Sequence, residues 1–387
     1  MLYFQVVIVQ TYKPKQIGNK ININSNNNDV EKPINNKPDY RQDSAGGPTC
    51  FGMNCPYTIP KNTEFGGKTM AMHKIQFQKG LKMSDFWKKY GTEEQCESAL
   101  AAVRWPRGFI CPKCGHSGFC IVYHGECKTY QCNRCHSQTT LTSGTIFQGT
   151  RLPLATWFQA MYLMTQSKNN VSALELTRML GVCYRSAWRL KHKLIVVMQE
   201  REAHRVLEDR IEVDDAYLGG ARSGGKVGRG SENKIPFVAA VQTTKEGYPM
   251  YAVFTAVKAF STEEIEKWSL KHLQPKSTVY TDGLYCFSAV RNAGCYHMQL
   301  IVGSNRKSTE MTCFNWVNTV LSNLKTAISG TYHAFKFAKY ASRYLAEVQY
   351  RFNRRFDMAS MFIRLLFASA QTLARPESFL RMAESWR

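Results

Sequence analysis

Long apolar runs and acidic residues are both scarce in this sequence of 387 residues. No run of eighteen or more apolar residues occurs, so we expect no membrane span and no membrane partner. The opening MLYFQVVIVQ is too short to cross a bilayer, and it lacks the basic lead-in and cleavage site of a secretion signal. Acidic residues number 29 against 51 lysines and arginines, which leaves a net charge of +22. This balance is typical of proteins with a polyanionic partner, nucleic acid first, although a well-solvated basic surface explains it equally well.

The thirteen cysteines are not expected to form disulfides, because no secretion signal accompanies them. We therefore predict a reducing, cytoplasmic location and metal-bound thiolates. Four of the cysteines form two C-x-x-C pairs, CPKC and CNRC, separated by seventeen residues: Cys111, Cys114, Cys132 and Cys135. This spacing predicts a zinc ribbon with one structural Zn²⁺, since four thiolates can surround the ion tetrahedrally and leave no open position. A redox site, the alternative, needs only one pair. Other cysteines and histidines nearby are spare candidate ligands, namely Cys120, Cys127, His116, His124 and His136.

A helix-turn-helix is predicted by VSALELTRMLGVCYRSAWRLKHKL. Ser172 and Glu175 have the spacing of a capping box, and Gly181 lies at the predicted turn. The second helix is rich in basic residues, as expected of a recognition helix that contacts phosphates and groove edges. The candidate DNA-binding residues on it are Arg185, Arg189 and Lys193. An ordinary helical hairpin with a basic outer face is the alternative.

Two strand-like stretches, IEVDDAYL and VYTDGL, carry the residues best suited to chemistry. In the first, alternation places Asp214 on the face opposite Asp215. Asp282 follows a hydrophobic strand at its C-terminal end, where α/β folds commonly place active residues. The predicted order β-β-β-α-β-α-β-α is the one expected of a ribonuclease-H-like fold, a mixed five-stranded sheet with flanking helices. In that fold strands one and four are neighbours, so Asp214 and Asp282 are predicted to share divalent ions.

The stretch CFNWVNTVLSNLKT predicts a helix with one apolar stripe and one unusual polar stripe. Asn318 and Lys325 lie seven residues apart, which is two helical turns, and therefore share the polar face. Nearer the C-terminus, Glu347, Arg351 and Arg354 form a second polar stripe. We hold two interpretations of that stripe equally: a surface Glu–Arg pair, or a DNA-binding helix whose arginines contact phosphates.

GGARSGGKV, from Gly219 to Val227, nearly matches a phosphate-binding P-loop. Val227 stands where such a loop needs a hydroxyl for Mg²⁺, and no helix pattern follows. We therefore predict a flexible basic loop beside a DNA channel instead of a nucleotide site.

The chain divides into segments of different composition. The N-terminal segment is rich in Asn, Lys, Asp and Pro and has almost no periodic apolar pattern, so it cannot pack a core. A capping box of Thr92 and Gln95 then predicts a short helix. The predicted segments are a disordered extension that the functional protein need not include (1–69), a short helical lead-in (70–104), the zinc ribbon (105–150), the helix-turn-helix region (151–205), the α/β catalytic domain (206–370) and a C-terminal tail (371–387).

Taken together, the zinc ribbon, the helix-turn-helix, EVDDAYLGG, YTDG and VNTVLSNLKTAISGTYH…YRFNRR resemble insertion-sequence transposases of family 1595, relatives of the Merlin elements. The resemblance covers about residues 70–370. It implies a DDE-type strand-transfer enzyme with a ribonuclease-H-like domain. Asp214 corresponds to the first acid, Asp282 to the second and Asn318 to the third position, with Lys325 seven residues on. Many members have Glu where this chain has Asn318, and a subgroup has Asn.

The resemblance also implies the cofactors and partners. Mg²⁺ (or Mn²⁺), held by Asp214, Asp282 and Asn318, is expected to activate water at the element's end and then the 3′-hydroxyl that attacks target DNA. Lys325 is expected to hold a phosphate near the scissile bond. Because an amide lacks the charge of a carboxylate, Glu212 or Glu347 is a candidate helper. The expected partners are double-stranded DNA with terminal inverted repeats and target DNA. A homo-oligomer on DNA and a nucleoid-associated location are also expected.

Two other interpretations remain open at this point. A DNA-binding regulator with the same zinc ribbon and helix-turn-helix but an inactive catalytic domain would bind specific DNA without Mg²⁺-dependent cleavage. A structure-specific nuclease of the same fold would cut branched DNA without joining ends.

Overall fold

The computed structural model describes residues 78–125, 127–219, 234–300, 314–332 and 335–382. The predicted N-terminal extension (1–69) and the predicted basic loop beyond Gly219 lie outside these residues. Across the described part of the chain, no helix combines the length and the apolar character that a membrane crossing requires.

Five helices form the N-terminal half of the described chain. They are α1 (Met83–Tyr90), α2 (Glu93–Arg104), α3 (Leu154–Gln166), α4 (Ala173–Leu180) and α5 (Tyr184–Glu202). The helix predicted after Thr92 is confirmed: the Thr92 hydroxyl accepts from the Gln95 amide, and the Gln95 side chain accepts from the Thr92 amide. This reciprocal cap satisfies two amides that the first turn of α2 otherwise leaves without partners.

The zinc-ribbon segment is a three-stranded antiparallel meander of β1 (Phe119–His124), β2 (Cys127–Cys132) and β3 (Gln138–Thr140). It does not stand apart from the helices. Cys111 and Cys132 are buried in the same hydrophobic core as residues of α2 and α3. An ion that holds the four cysteines together would therefore also stabilise the helical core.

The predicted helix-turn-helix is present as α4 and α5. The amide of Glu175 donates to the Ser172 hydroxyl at 3.1 Å, and the Glu175 carboxylate accepts from the Ser172 amide at 3.3 Å, so the predicted capping box is confirmed. Gly181 ends α4 with φ of 65°, in the left-handed region that glycine enters at least cost. Three residues thus turn the chain from α4 into the basic helix α5.

The second half of the chain contains a mixed five-stranded sheet, as predicted. Its strands are β4 (Arg210–Leu218), β5 (Ile235–Thr243), β6 (Pro249–Ala256), β7 (Thr278–Thr281) and β8 (Tyr296–Gln299), in the order β6-β5-β4-β7-β8. Within this sheet, β4, β5 and β6 pair antiparallel, whereas β4, β7 and β8 pair parallel. β4, which carries Asp214, and β7, which Asp282 directly follows, are therefore neighbours.

Helices cover both faces of the sheet. Val213 and Val279 pack with α6 (Thr262–His272) and a 3-10 helix (Tyr285–Ala293) on one face. Ala216 and Leu218 pack with α7 (Asn315–Tyr332) and α8 (Phe337–Asn353) on the other. Residues at odd positions of β4 thus face α6, and those at even positions, Asp214 among them, face α7.

The C-terminal helices do not follow the predicted boundary at residue 370. α9 (Met358–Gln371) lies in the hydrophobic core of α2, α3 and α5, where Phe362 and Leu366 are fully buried. The predicted tail contains a further helix, α10 (Glu377–Met382), which packs on α5. α9 and α10 therefore pack with the N-terminal helical core.

Candidate functional site

The two predicted acids meet at one end of the sheet. Glu212 pairs with Tyr280 in the parallel register of β4 and β7, and two residues further along lie Asp214 and Asp282. Carboxylate oxygens of Asp214, Asp215 and Asp282 all lie within 4.8 Å of one another. Asp215 was not among the predicted site residues, because alternation along β4 places it on the other face. Asp282 lies in the loop after β7, where its carboxylate is within reach of both neighbours.

The electrostatics of this acid cluster (Asp214, Asp215 and Asp282) favour a bound cation. Burial, followed by repulsion from Asp215 and then from Asp282, raises the pKa of Asp214 to about 7. Two backbone amides donate to the cluster: that of Asp215 to Asp214 Oδ1 at 2.9 Å, and that of Leu284 to Asp282 Oδ1 at 3.1 Å. Oxygen donors gathered against their own repulsion are the ligand set that Mg²⁺ and Mn²⁺ prefer. The residues present therefore fit a divalent ion.

Helix α7 is held over this end of the sheet by Glu212. The Glu212 side chain is fully buried, and its Oε2 accepts from the amides of Trp316 and Val317, each at 3.0 Å. Its Oε1 accepts from Arg210 Nη1 at 2.8 Å. A carboxylate at a helix N-terminus neutralises unpaired amides and the positive end of the helix dipole. Both oxygens of Glu212 are thus engaged in positioning α7, which corrects its predicted role as a helper ligand.

The polar face of α7 carries the two residues that were predicted to lie beside the acids, Asn318 and Lys325. Lys325 is exposed, yet its charge acts on Asp214 and partly offsets the rise in the pKa of that carboxyl. Asn318, half-buried, shares the face of Lys325 and directly follows Val317, whose amide Glu212 binds. The predicted grouping of an amide and a lysine beside the acids is compatible with these positions.

Glu347, the other predicted helper, lies in a different cluster. It is fully buried on α8, where Lys191 Nζ lies 3.2 Å from its Oε1 and the Tyr332 hydroxyl donates to its Oε2 at 2.5 Å. Tyr332 is fourteen residues beyond Asn318, which is about 21 Å along the same helix. Glu347 therefore joins α5, α7 and α8, and the structure does not bring it to the acid cluster.

The four predicted zinc ligands form a compact group. Cys111 Sγ lies 3.6 Å from Cys135 Sγ, and Cys114 Sγ lies 3.6 Å from Cys132 Sγ. Sulfurs held about 2.3 Å from a central ion in a tetrahedron stand about 3.8 Å apart, so the spacing fits Zn²⁺. Backbone amide donation, foremost from Cys135, lowers the pKa of the Cys132 thiol to about 6, which favours the thiolate that zinc needs. The spare Cys120 is exposed on β1, outside the four-cysteine group.

The predicted DNA-binding residues of α5 differ in their surroundings. Arg185 and Arg189 lie in its first half with partly exposed side chains, and both contact the carboxylate of Glu377. Lys193 instead donates to the backbone oxygen of Ile146 at 2.9 Å. Lys193 therefore ties α5 to the segment before α3, whereas the two arginines remain the better candidates for phosphate contact.

Arg351 and Arg354 have protein partners that correct the phosphate-contacting interpretation. Arg351 donates to the side-chain oxygen of Asn170 at 2.9 Å and to backbone oxygens at the end of α3. Arg354 forms an ion pair with the buried Glu202 and stacks on Tyr350, 3.6 Å from the ring centroid. Both arginines thus join α8 to α3 and α5. This corrects both predicted interpretations, the surface Glu–Arg pair and the contact with DNA phosphates.

Comparisons with known proteins agree with the two sites. Residues 91–138 match the transposase zinc-ribbon domain, and residues 206–353 match the ISXO2-like transposase domain. The first match contains all four cysteines, and the second contains Asp214, Asp282, Asn318 and Lys325. Together the matches span about half of the chain.

Similar proteins come from mobile elements. An uncharacterized protein in the transposable element ISH50 of Halobacterium salinarum is 26% identical over 233 residues, which are 56% of this chain and 76% of that protein. Among solved structures, the Mos1 strand transfer complex is 11% identical over 51% of this chain and 76% of that chain, with a TM-score of 0.19. A pre-cleavage Mos1 transpososome is 8% identical over 56% and 79%, with a TM-score of 0.18. With both family domains matched in the expected order, this chain belongs to the insertion-sequence transposases of family 1595.

Proposed function

We propose that this chain is a DNA transposase that cuts the ends of its insertion sequence and joins them to target DNA. The proposal rests on one observation: Asp214 on β4 and Asp282 directly after the neighbouring parallel strand β7, 68 residues apart in the chain, bring carboxylate oxygens within 4.8 Å. The order of the strands and the helices on both faces support a ribonuclease-H-like fold for this domain. In such a site, divalent ions supply Lewis acidity toward the phosphodiester and the attacking oxygen.

Each residue of the proposed site has a separate task. Asp214 and Asp282 hold the divalent ions, and the charge of the ions offsets the repulsion that raises the pKa of Asp214. Asn318 offers a neutral oxygen on the adjoining face of α7. Lys325 binds a DNA phosphate as a point charge next to the acids. Glu212 keeps α7, and with it both polar residues, over the acid cluster.

Asp215 compensates for the missing negative charge at the third position, where Asn318 has a neutral amide instead of a carboxylate. Losing one anionic ligand beside a divalent ion costs about 4 kcal/mol of attraction per unit charge at 4 Å, for an effective dielectric constant near 20. Asp215 lies in the same acid cluster and raises the pKa of Asp214, so its charge reaches the site. We assign to Asp215 the third negative charge that a Glu in place of Asn318 would carry.

The N-terminal modules provide the DNA contacts in this proposal. The recognition helix α5 binds the terminal inverted repeat, and the zinc ribbon stabilises the core from which α5 projects. Because transposition must hold two DNA ends together, we propose that the chain acts as a homo-oligomer on DNA. The location that follows is the cytoplasm, associated with the nucleoid.

Incubation of the purified chain with duplex DNA carrying the element's ends tests this function. With Mg²⁺, we expect cleavage at the end of the element and joined products when target DNA is added. Sequence-specific binding without Mg²⁺-dependent cleavage would favour the DNA-binding regulator instead. Cutting of branched DNA without joined products would favour the structure-specific nuclease, and either result would overturn the proposal.

A further inference from the structure

One carboxylate on α10 forms ion pairs with three arginines. Glu377, at the start of α10, lies 3.2 Å from Arg185 Nη2 and 2.7 Å from Arg381 Nε. It also forms an ion pair with Arg189. Two of these arginines belong to the recognition helix α5, and the third lies one turn further along α10. The arginines hold the pKa of the Glu377 carboxyl down at about 2, so Glu377 is charged at every relevant pH.

Two of these arginines, Arg185 and Arg189, line a basic groove. The groove has a volume of about 980 Å³ and lies between α5, the segment before α3 and the segment that leads into α10. Its basic lining residues are Arg151, Arg185, Arg189, Lys193 and Arg375. Glu377 is the one acidic residue among the lining residues that the structure describes. The only negative charge at the edge of the groove thus sits on the arginines best placed to bind a polyanion.

A carboxylate and a phosphodiester can bind to the same arginines. Each carries one negative charge and presents two oxygens that accept hydrogen bonds from the fork of a guanidinium group. A cage of arginines that suits the Glu377 carboxylate therefore also suits one phosphate of a DNA backbone. Both ligands cannot occupy the cage at once.

We propose that Arg185, Arg189 and Arg381 form a phosphodiester-binding site that Glu377 occupies while the chain is free of DNA. This inference rests on the proposed DNA binding by α5, and it adds a competing internal ligand and a third arginine from α10. DNA displaces Glu377 by rotation of its side chain alone. α10 stays in place, since Leu380 is fully buried and its backbone oxygen accepts from Arg343 Nη1 at 2.6 Å.

Competition of this kind makes Glu377 lower the affinity of the chain for DNA. Glu377→Gln keeps the shape of the side chain but removes the charge that DNA must displace. We expect this variant to bind a labelled duplex of about 30 bp roughly tenfold more tightly than the wild-type chain, measured by fluorescence anisotropy at one fixed salt concentration. Glu377→Ala is expected to change the affinity in the same direction.

The matched control is Glu264→Gln. Glu264 forms an ion pair with Lys267 on α6, away from the groove, so this change removes the same charge without freeing an arginine of the site. Its affinity for the duplex is expected to stay within about twofold of wild type. A general effect of net charge would instead raise the affinity of both variants alike.

A double-mutant cycle shows whether the competition acts through the arginines. Arg189→Ala is expected to cost several times more affinity in the Glu377→Gln background than in the wild-type background. In the wild-type background the lost phosphate contact is partly offset, because DNA no longer has to break the contact between Arg189 and Glu377. Weaker binding by Glu377→Gln, or equal affinity of the Glu377→Gln and Glu264→Gln chains, would overturn the inference. If wild type still binds and cleaves DNA, the proposed function survives that result. Failure of the wild-type chain and of every variant to bind duplex DNA would contradict both the inference about Glu377 and the proposed function.

Discussion

Asp282→Asn is expected to lower the rate of Mg²⁺-dependent DNA cleavage by about a thousandfold or more, with DNA affinity within about threefold of wild type. The change keeps the size of the side chain and its oxygen that accepts from Leu284. It removes one of the three negative charges of the acid cluster. The arginines proposed to bind DNA, Arg185 and Arg189, lie on α5 and are untouched. Single-turnover cleavage of an end-bearing duplex, together with anisotropy for binding, measures the two quantities separately.

Asp209→Asn is the matched control for this result. Asp209 directly precedes β4 and lies five residues before Asp214, about 16 Å away along the extended chain. Its φ of 62° is in the left-handed region, which asparagine tolerates as well as aspartate does. Cleavage by Asp209→Asn is expected to match wild type. Cleavage by Asp282→Asn at the wild-type rate would remove that residue from the active site.

Cys132→Ser is expected to release the bound zinc and to unfold more than the ribbon. Structural zinc contributes about 10–16 kcal/mol of apparent binding energy in isolated zinc-finger peptides. Cys132 is fully buried in the core that also contains α2, α3 and α9, so the loss should reach those helices. We expect the melting temperature to fall by more than about 10 °C and DNA binding to be lost. Metal analysis should show one zinc per wild-type chain and none in the variant.

Cys120→Ser separates the zinc site from general cysteine chemistry. Cys120 is exposed on β1, twelve residues before Cys132 and outside the four-cysteine group. Its replacement is expected to leave the zinc content, melting temperature and DNA affinity at wild-type values. Equal loss of zinc in both variants would show that the ligand set has been assigned incorrectly.

Local signals in the sequence predicted the elements and the main ligands. The strand RIEVDDAYL has the predicted bounds because alternation and flanking turn residues define it. Both capping boxes formed as their spacing predicts. The two C-x-x-C pairs came together for the same reason, since each pair is a short local turn. Strand order, read from the sequence of elements, was enough to place Asp214 beside Asp282.

What escaped prediction depends on contacts between distant segments. The sequence suggested Glu212 as a helper ligand and Arg351 as a surface or phosphate-binding charge, but their partners lie on elements about 100 residues or more away. The approach of Asp215 to the acid cluster depends on where the loop after β7 carries Asp282. The packing of α9 with the N-terminal helices likewise joins opposite ends of the described chain. The periodicity of apolar residues within a short stretch of sequence does not predict contacts between such distant segments.

The location of bound Mn²⁺ tests the shared acid cluster most directly. Mn²⁺ has the oxygen preference of Mg²⁺ and scatters X-rays anomalously, so crystals of the chain grown with Mn²⁺ would show where it binds. We expect anomalous density in contact with the carboxylates of both Asp214 and Asp282. Density at other residues, with none at this pair when Mn²⁺ is saturating, would contradict a shared metal site.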